Sequence, residues 1–396
     1  PTTSEAIPAF ARQTGAACLS CHFQSFPTLS AFGRSFKMGA LTDVGEQALV
    51  EDEALSIPAT LNATIVFRPQ VIQQSATGTP TTKEIGYVDQ VVLIGGRIGP
   101  NAGAFVELGG GAFGNHQLFT SFDLGGFKAG INYANTGFGS DSALQLGNTW
   151  GQHGGMMGLR DTSANQFLEA KGRKNAGAAV GARKANYASL VAWGGNDMGA
   201  VQIGLVAPSD GIAFGVTNDG GTTAPLTGLS GSTFKAANIV RANGFFDVGG
   251  LTAGLGGIFI SGNVGDNGQF IAAKQLEMKR WGVEASLEGE MGDTQFGLYA
   301  DYASAGASST AKTNVFNTDT VNALKGFGIR GTVKPIHNLV LGAGYSSMKA
   351  TTKTKTFMVG AEFEVYQNFV IALTYTNEKA GTTTTKTTVL DVEALL

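Results

Sequence analysis

The sequence predicts an all-β transmembrane antiparallel barrel of 16 strands (18 is the alternative), preceded by a small, mainly helical N-terminal segment. Charged residues make up only 14% of the 396 residues, and the chain holds 58 glycines. Mean hydropathy is +0.06, yet no run approaches the ~18 consecutive apolar residues of a membrane helix. Beyond residue 59, apolar residues recur at every second position. A barrel combines these features, because half of each strand faces lipid and half faces a polar lumen.

The alternation is clearest in the C-terminal half of the chain. In 280–288 (RWGVEASLE) apolar residues alternate with Arg, Gly, Ser and Glu, and 356–365 (TFMVGAEFEV) repeats the pattern. A soluble β-sandwich would also alternate, but it would carry many more Lys and Glu residues on its polar face. Two-residue turns such as Gly292-Asp293 and Gln367-Asn368 alternate with longer polar loops, as in barrels with short periplasmic turns and long extracellular loops.

The strand count follows from the number of alternating segments. Seventeen candidate segments occur, whereas bacterial single-chain barrels have even numbers of strands. The ambiguity lies in 136–232. The long loop 136–184 could contain one more strand, or the two candidates 199–207 and 210–218 could be parts of a single strand. Sixteen strands is therefore the prediction.

The chain divides near residue 58 into an N-terminal domain, 1–58, and the barrel, 59–396. Little of the first domain alternates. Ser30–Gly39 and Val44–Leu55 are predicted as short helices, and Pro58 closes the domain. The net charge of −3 excludes a global electrostatic field for nucleic acid.

Both cysteines fall in Cys18-Leu19-Ser20-Cys21-His22, which predicts one covalent haem c. Two thiols add across the haem vinyl groups, while the adjacent imidazole binds the iron. A zinc site would need further ligands, and His116, His153 and His337 lie far along the chain. A redox dithiol would begin a helix in a βαβ unit, which the sequence lacks. Because haem attachment takes place outside the cytoplasm, we expect Pro1 to begin a processed chain.

The second axial ligand is left open by the sequence. Met38 is the candidate distal ligand, and apolar packing of Met38 against the porphyrin is the alternative. His337 or the group His153, Met156 and Met157 could also reach a haem, but exposed loop residues are the simpler interpretation. A haem needs apolar cover, which the neighbouring side chains supply. These are Phe10, Phe23, Phe26, Leu29, Phe32 and Phe36.

Residues around the haem motif complete a recognisable pattern. The segments 9–15 (AFARQTG) and 32–37 (FGRSFK), with Pro27 and Cys18–His22, resemble the N-terminus of the fused outer-membrane cytochrome–porins. These monohaem proteins of iron-oxidising bacteria are regarded as Fe(II) oxidases. The resemblance implies a cytochrome domain placed as a plug in or under a 16-stranded porin. It also implies thioethers at Cys18 and Cys21 and His22 as the proximal iron ligand.

The resemblance further implies a place and an activity. The protein is expected in the bacterial outer membrane, in contact with its lipid, where it takes electrons from extracellular Fe(II). Those electrons then pass to a periplasmic electron-carrier cytochrome. Carboxylates predicted to point into the lumen could attract Fe²⁺, although charges ordinarily line porin lumens. The carboxylates are Glu107, Glu284, Glu288, Glu290, Asp301, Glu362 and Glu364, and the cations on the same face are Arg68, Lys128, Arg330 and Lys334.

Two other functions stay open. One is a conduit for a different extracellular electron donor, since outer-sphere transfer needs no substrate pocket. The other is a diffusion porin whose haem domain serves as a gate. In that case the loop 136–184 would constrict the pore or bind an anion through its basic residues, which are Lys171, Arg173, Lys174, Arg183 and Lys184.

Overall fold

The computed structural model describes residues 8–53, 55–87, 90–109, 112–136, 144–149, 162–179, 186–209, 235–266 and 275–396. Its N-terminal part contains three short helices, α1 (Pro8–Thr14), α2 (Cys18–Cys21) and α3 (Ala31–Met38). A hairpin of β1 (Leu49–Asp52) and β2 (Leu55–Pro58) follows, and α4 (Ala164–Ala179) comes much later in the chain. Among these residues, no helix is long and apolar enough to span a membrane.

The remaining strands form a closed antiparallel barrel. Their bounds are β3 (Ala63–Phe67), β4 (Pro69–Ala76), β5 (Thr82–Tyr87), β6 (Val91–Gly99), β7 (Ala102–Gly109), β8 (Ala112–Thr120), β9 (Phe122–Asp123), β10 (Lys128–Thr136), β11 (Asn186–Asn196), β12 (Gly199–Ser209), β13 (Ala237–Val248), β14 (Leu251–Asp266), β15 (Gln275–Met291), β16 (Thr294–Ala305), β17 (Lys312–Asn314), β18 (Leu324–Ile336), β19 (Leu339–Lys349), β20 (Lys353–Tyr366), β21 (Phe369–Ala380) and β22 (Thr383–Leu395). The last strand, β22, pairs with β3 and β4 and so closes the ladder.

Three pairs of these segments, β3 with β4, β5 with β6 and β8 with β9, are single crossings of the wall with short breaks. The short β17 lies in a loop, so the closed ladder contains 16 barrel strands. The predicted antiparallel transmembrane barrel and its strand number are therefore confirmed. The additional candidate 210–218 lies outside the described residues.

The two faces of the wall have opposite character. On β15, Trp281 and Val283 are 44% and 48% exposed, whereas Arg280 and Glu284 are 1% and 6% exposed. On β20, Phe357 is likewise exposed on the outer face. A soluble protein would bury the apolar residues and expose the charges. This inversion confirms the predicted alternation of a lipid-facing exterior and a polar interior.

The two rims of the barrel differ in their connections. At one rim the strands are joined by short turns, such as Gly292-Asp293 between β15 and β16 and Gln367-Asn368 between β20 and β21. At the other rim, β10, β12, β14 and β16 are followed by long connections. We call these the short-turn end and the long-loop end. In transmembrane barrels the first faces the periplasm and the second faces outward.

The N-terminal part agrees with one helix prediction and contradicts another. The helix predicted over Ser30–Gly39 is present as α3, and the Ser30 hydroxyl accepts the Gly33 N–H at its start. The helix predicted over Val44–Leu55 is wrong, because this segment enters the β1–β2 hairpin. Arg97 of β6 stabilises the extended form, since its Nη2 donates to Ser56 Oγ at 2.7 Å and its Nε donates to the Ser56 carbonyl. The wall thus overrides local helix propensity.

Candidate functional site

The N-terminal segment, residues 8–41, lies against the inner face of several well-separated strands. Ala9 N–H donates to Thr64 Oγ1 of β3 at 2.9 Å. On another part of the wall, Lys334 Nζ of β18 donates to the Gln24 carbonyl at 2.7 Å. The Arg34 guanidinium sits 4.0 Å from the ring centroid of Phe245 on β13. These contacts place the segment within the barrel, in the half nearer the short-turn end.

Cys18 and Cys21 begin and end the four-residue helix α2; neither is in a disulfide, and both are 5% exposed. Helix α3 packs directly against α2. Ser30 N–H donates to the Cys21 carbonyl at 2.9 Å, and a Cβ at position 33 would overlap that carbonyl oxygen. Gly33 therefore permits the close approach that holds the two cysteines in place.

The imidazole of His22 is oriented by a backbone carbonyl. Its Nδ1 lies 3.1 Å from the Thr28 carbonyl oxygen, and a carbonyl only accepts hydrogen bonds. Nδ1 therefore carries the proton, and Nε2 becomes the ligating position, an arrangement common to metal-binding histidines. Burial lowers the pKa of His22 to about 4, so the ring is neutral, as a ligand must be.

The chemistry of the cysteines separates the three interpretations of the motif. Burial, with Asp43 adding to it, raises the pKa of Cys21 to about 11. Reactive dithiols are partly exposed, whereas Cys18 and Cys21 are each only 5% exposed, so a thioredoxin-like role is disfavoured. Across the described part of the chain, no three His, Cys, Asp or Glu side chains are grouped to hold a metal ion, which disfavours zinc. Two buried thiols beside a neutral, carbonyl-oriented imidazole fit a c-type haem.

The other candidate ligands lie in several places. Met38 is 2% exposed and packs in an apolar cluster with Leu144, Leu146 and Trp193 that includes neither cysteine. Its role as distal ligand stays a prediction. His116 lies beside Tyr133 in the wall, with ring centroids 5.8 Å apart.

The remaining candidates lie on the surface or beyond the described part of the chain. His337 is exposed in a turn at the short-turn end, between β18 and β19. His153, Met156 and Met157 lie outside the described residues.

The apolar side chains predicted to cover a haem lie in two places, some against the Cys18–His22 motif and others along a nearby cavity. The Phe26 ring meets His22 edge to face, with centroids 5.3 Å apart, and Phe10 meets Phe36 at 5.4 Å. Phe32 is 43% exposed, and it lines a cavity of about 390 Å³ with Phe36, Lys128 and six other residues. This volume is in the range of small-molecule sites. Neither the two cysteines nor His22 lines that cavity.

Helix α4 occupies the other half of the lumen. The Asp301 carboxylate of β16 accepts Ala164 N–H at 3.0 Å and Asn165 N–H at 2.7 Å, so the wall caps this helix. Arg280 of β15 forms an ion pair with Glu169 at 2.9 Å, and both side chains are at most 1% exposed. The helix packs into a cluster of fully buried apolar residues. This cluster includes Leu168, Tyr187, Ile239, Met278 and Phe316.

Residues 144–149, which precede α4 in the same connection, reach the N-terminal segment. Asn148 Nδ2 donates to the Leu29 carbonyl at 2.9 Å and to Glu288 Oε1 at 2.6 Å. Arg330 of β18 donates to the carbonyls of Asn148 and Thr149. Inserted chain thus occupies the lumen near both ends. The loop predicted over 136–184 is therefore partly a buried segment and a helix.

The predicted lumen carboxylates are engaged with protein groups. Glu284 pairs with Arg241, and Glu364 pairs with Lys334 at 3.2 Å. Glu288 and Asp301 hold inserted chain, as described above. Glu107 and Glu362 are buried too, whereas Glu290 is exposed at the end of β15. Sequence reasoning found the direction of these groups but missed Asn148, the partner of Glu288, and Glu169, the partner of Arg280, because no local pattern marks them.

The basic residues of the predicted loop are only partly described. Lys171 and Lys174 are exposed on α4, while Arg183, Lys184 and the side chain of Arg173 lie outside the described residues.

Comparisons with known proteins bear on the barrel alone. No family model matches the chain, and no curated protein matches it. Among solved structures, outer-membrane expressed OmpT of Vibrio cholerae has a TM-score of 0.48 at 12% identity, covering 88% of this chain and 100% of that one. The anion-selective porin from Comamonas acidovorans has a TM-score of 0.48 at 10% identity, covering 85% and 99%.

Likenesses of this size add nothing to what the hydrogen-bond ladder already shows. The ladder is closed, the outward face is apolar, and buried charges line the interior. The chain is an outer-membrane β-barrel whose lumen holds its own N-terminal segment and helix α4.

Proposed function

We propose that this protein is an outer-membrane electron conduit that oxidises extracellular Fe(II) and passes the electron to a periplasmic electron-carrier cytochrome. The observation that carries the proposal is the Cys18–His22 segment, fixed inside a closed barrel with its imidazole oriented by Thr28. A c-type haem attached there would supply a one-electron Fe(III)/Fe(II) couple. The resemblance of this segment to the cytochrome–porins points the same way.

The residues around the motif have definite tasks in this proposal. Cys18 and Cys21 would carry the thioethers, and His22 would be the proximal ligand, held by the Thr28 carbonyl. Gly33 lets α3 approach α2, and the packing of Phe26 on His22 limits access of water to the ring. Met38 stays the candidate distal ligand.

The filled lumen supports a conduit over a diffusion porin. Helix α4 is bound to the wall by a buried ion pair and by the Asp301 carboxylate, in the half nearer the long-loop end. Helix α4 and the N-terminal segment both narrow any path for an ion, whereas an electron does not need an open path. The porin with a haem-bearing gate remains the alternative, and it predicts a large conductance that is independent of redox state.

Extracellular Fe(II) is the donor that the resemblance favours. Glu284, Glu288 and Glu364 support no inner iron site, because they are paired or serve as partners of inserted chain. A different reduced donor is the second possibility within the same conduit.

The proposal is tested with the chain matured in a host that attaches c-type haem, purified from outer membranes. We expect the intact polypeptide mass to include one haem, and ferrous iron at neutral pH to reduce its visible spectrum. His22→Ala is expected to abolish that reduction, and His337→Ala, in an exposed turn, serves as the matched control.

The two possible negative results of this experiment reject different parts of the proposal. A polypeptide mass without an added macrocycle would reject the haem and the whole conduit. A haem that ferrous iron leaves oxidised, but that another donor reduces, would reject only Fe(II) as the substrate.

A further inference from the structure

A band of lysines lies on the outer face of five adjacent strands, β18 to β22, close to the long-loop end. All six side chains are exposed. They are Lys325, Lys349, Lys353, Lys355, Lys379 and Lys386. We call this set the lysine band.

The direction of each lysine follows from strand geometry. Lys325 lies two residues before Phe327, and Lys355 lies two residues before Phe357, and both phenylalanines are exposed on the lipid-facing surface. Cross-strand partners point to the same face, so Lys349 shares the outward face with its partner Lys325. Lys379 pairs with Lys355 in the same way, and Lys386 has the parity of the exposed Leu390.

The lysines of the band oppose one another across the ladder. Lys349 is paired directly with Lys325 on one side and with Lys353 on the other, and Lys355 is paired with Lys379. Like charges in directly opposed positions destabilise a sheet. A repeated pairing of this kind therefore calls for negative charge from outside the wall.

The five strands of the band do not supply that charge on this face. By alternation, no Asp or Glu occupies an outward position of β18, β19, β20, β21 or β22, all of which are described throughout. Glu378 belongs to the inward face, opposite Thr356, which is 4% exposed. On β15, which is separated from β18 by β16, the outward Lys279 by contrast has Glu277 two residues away on the same face.

We propose that the lysine band binds the phosphate groups of lipid headgroups in the outward-facing leaflet. The band begins where the apolar outer face ends, which is the level of the headgroups. Lysine stems lie along apolar surface while their ammonium groups reach phosphate oxygens. A soluble acidic protein would have to reach the same groups through the lipid around the wall. This inference does not depend on the haem.

Diphosphoryl lipid A in zwitterionic detergent is the probe. Native mass spectrometry measures how much of it the purified full chain retains as its concentration is varied. The test variant is Lys325→Gln, Lys349→Gln, Lys353→Gln and Lys355→Gln together. The control removes equal charge at four exposed lysines elsewhere. These are Lys171, Lys174, Lys235 and Lys279.

We expect the test variant to bind the lipid at least about tenfold more weakly, and the control to stay within about twofold of the parent chain. Heat-modifiable gel mobility confirms that both variants contain folded barrel. Equal loss of binding in the two variants would overturn the proposal, because it would show only a general charge effect. Retention that does not change when the lipid phosphates are removed would overturn it as well.

Discussion

The two inserted parts of the chain are held in the lumen by different means. The N-terminal segment is bound through hydrogen bonds of its backbone and its side chains, such as the Ala9 N–H on Thr64 and the Gln13 side-chain oxygen that accepts the Arg97 N–H. Helix α4 is bound by charge, through the pair Arg280–Glu169 and the carboxylate of Asp301. The wall thus holds the N-terminal segment with polar groups. It holds α4 with charged groups, which lose these contacts if the helix leaves.

Because of this difference, two roles can be tested separately: sealing of the barrel by α4 and holding of the haem by the N-terminal segment. If α4 seals the barrel, changes there should alter conductance and stability while the haem content stays the same. If the N-terminal segment holds the haem, changes there should alter haem content while conductance stays low.

The largest effect is expected from Arg280→Met. It removes the buried cation of the Arg280–Glu169 pair, which costs about 3–5 kcal/mol in the free energy of unfolding. Urea unfolding followed by tryptophan fluorescence measures the loss, and planar-bilayer recording should show increased ion flow. The double variant Arg280→Met with Glu169→Met should recover most of the stability, since no charge is then left alone. The neighbouring exposed Lys279→Met is the control, and an equal loss there would contradict the sealing role.

An intermediate effect is expected from Gly33→Ala. The new Cβ overlaps the Cys21 carbonyl and forces α3 away from α2, at a cost of about 1–3 kcal/mol. Covalent haem per chain, measured from the absorbance of the denatured protein, should fall while conductance stays low. Gly39→Ala, where the nearest atom to a new Cβ is 3.3 Å away, is the matched substitution. Full haem content in a folded Gly33→Ala chain would show that the α2–α3 contact is not needed for attachment.

The smallest effect is expected from Met38→Leu. Met38 packs among apolar side chains, including Trp193, and a swap of similar volume costs less than about 1.5 kcal/mol. On this packing interpretation the visible spectrum and midpoint potential of the haem stay unchanged. A changed spectrum together with a lowered potential would instead identify Met38 as the distal ligand.

The sequence was most informative where a short period repeats. Every second residue of 280–288 and of 356–365 faces lipid as expected, because a strand between lipid and lumen allows only one such pattern. The local signal at Ser30, a capping hydroxyl followed by a helix, also predicted α3 correctly. Both features depend on residues close together in the chain.

The failures occurred where distant residues decide the structure. Helix α4 (ANQFLEAKGRKNAGAA) is polar enough to suggest a loop, and its place depends on Arg280 and Asp301, more than a hundred residues away. The Val44–Leu55 segment has acidic residues suited to a helix, yet Arg97 fixes its end as a strand. The haem motif was visible from spacing alone, whereas the Thr28 carbonyl that orients His22 emerged only from the fold.

The closure of the ladder between β22 and the pair β3 and β4 constrains the order of assembly. Residues 8–41 lie inside that ring, and the segment 144–149 contacts them from within. A bulky group cannot pass through a wall of continuous hydrogen bonds once this seam has formed. A group attached at Cys18 and Cys21 would therefore have to be in place before the first and last strands meet, or enter together with the segment through an end of the barrel.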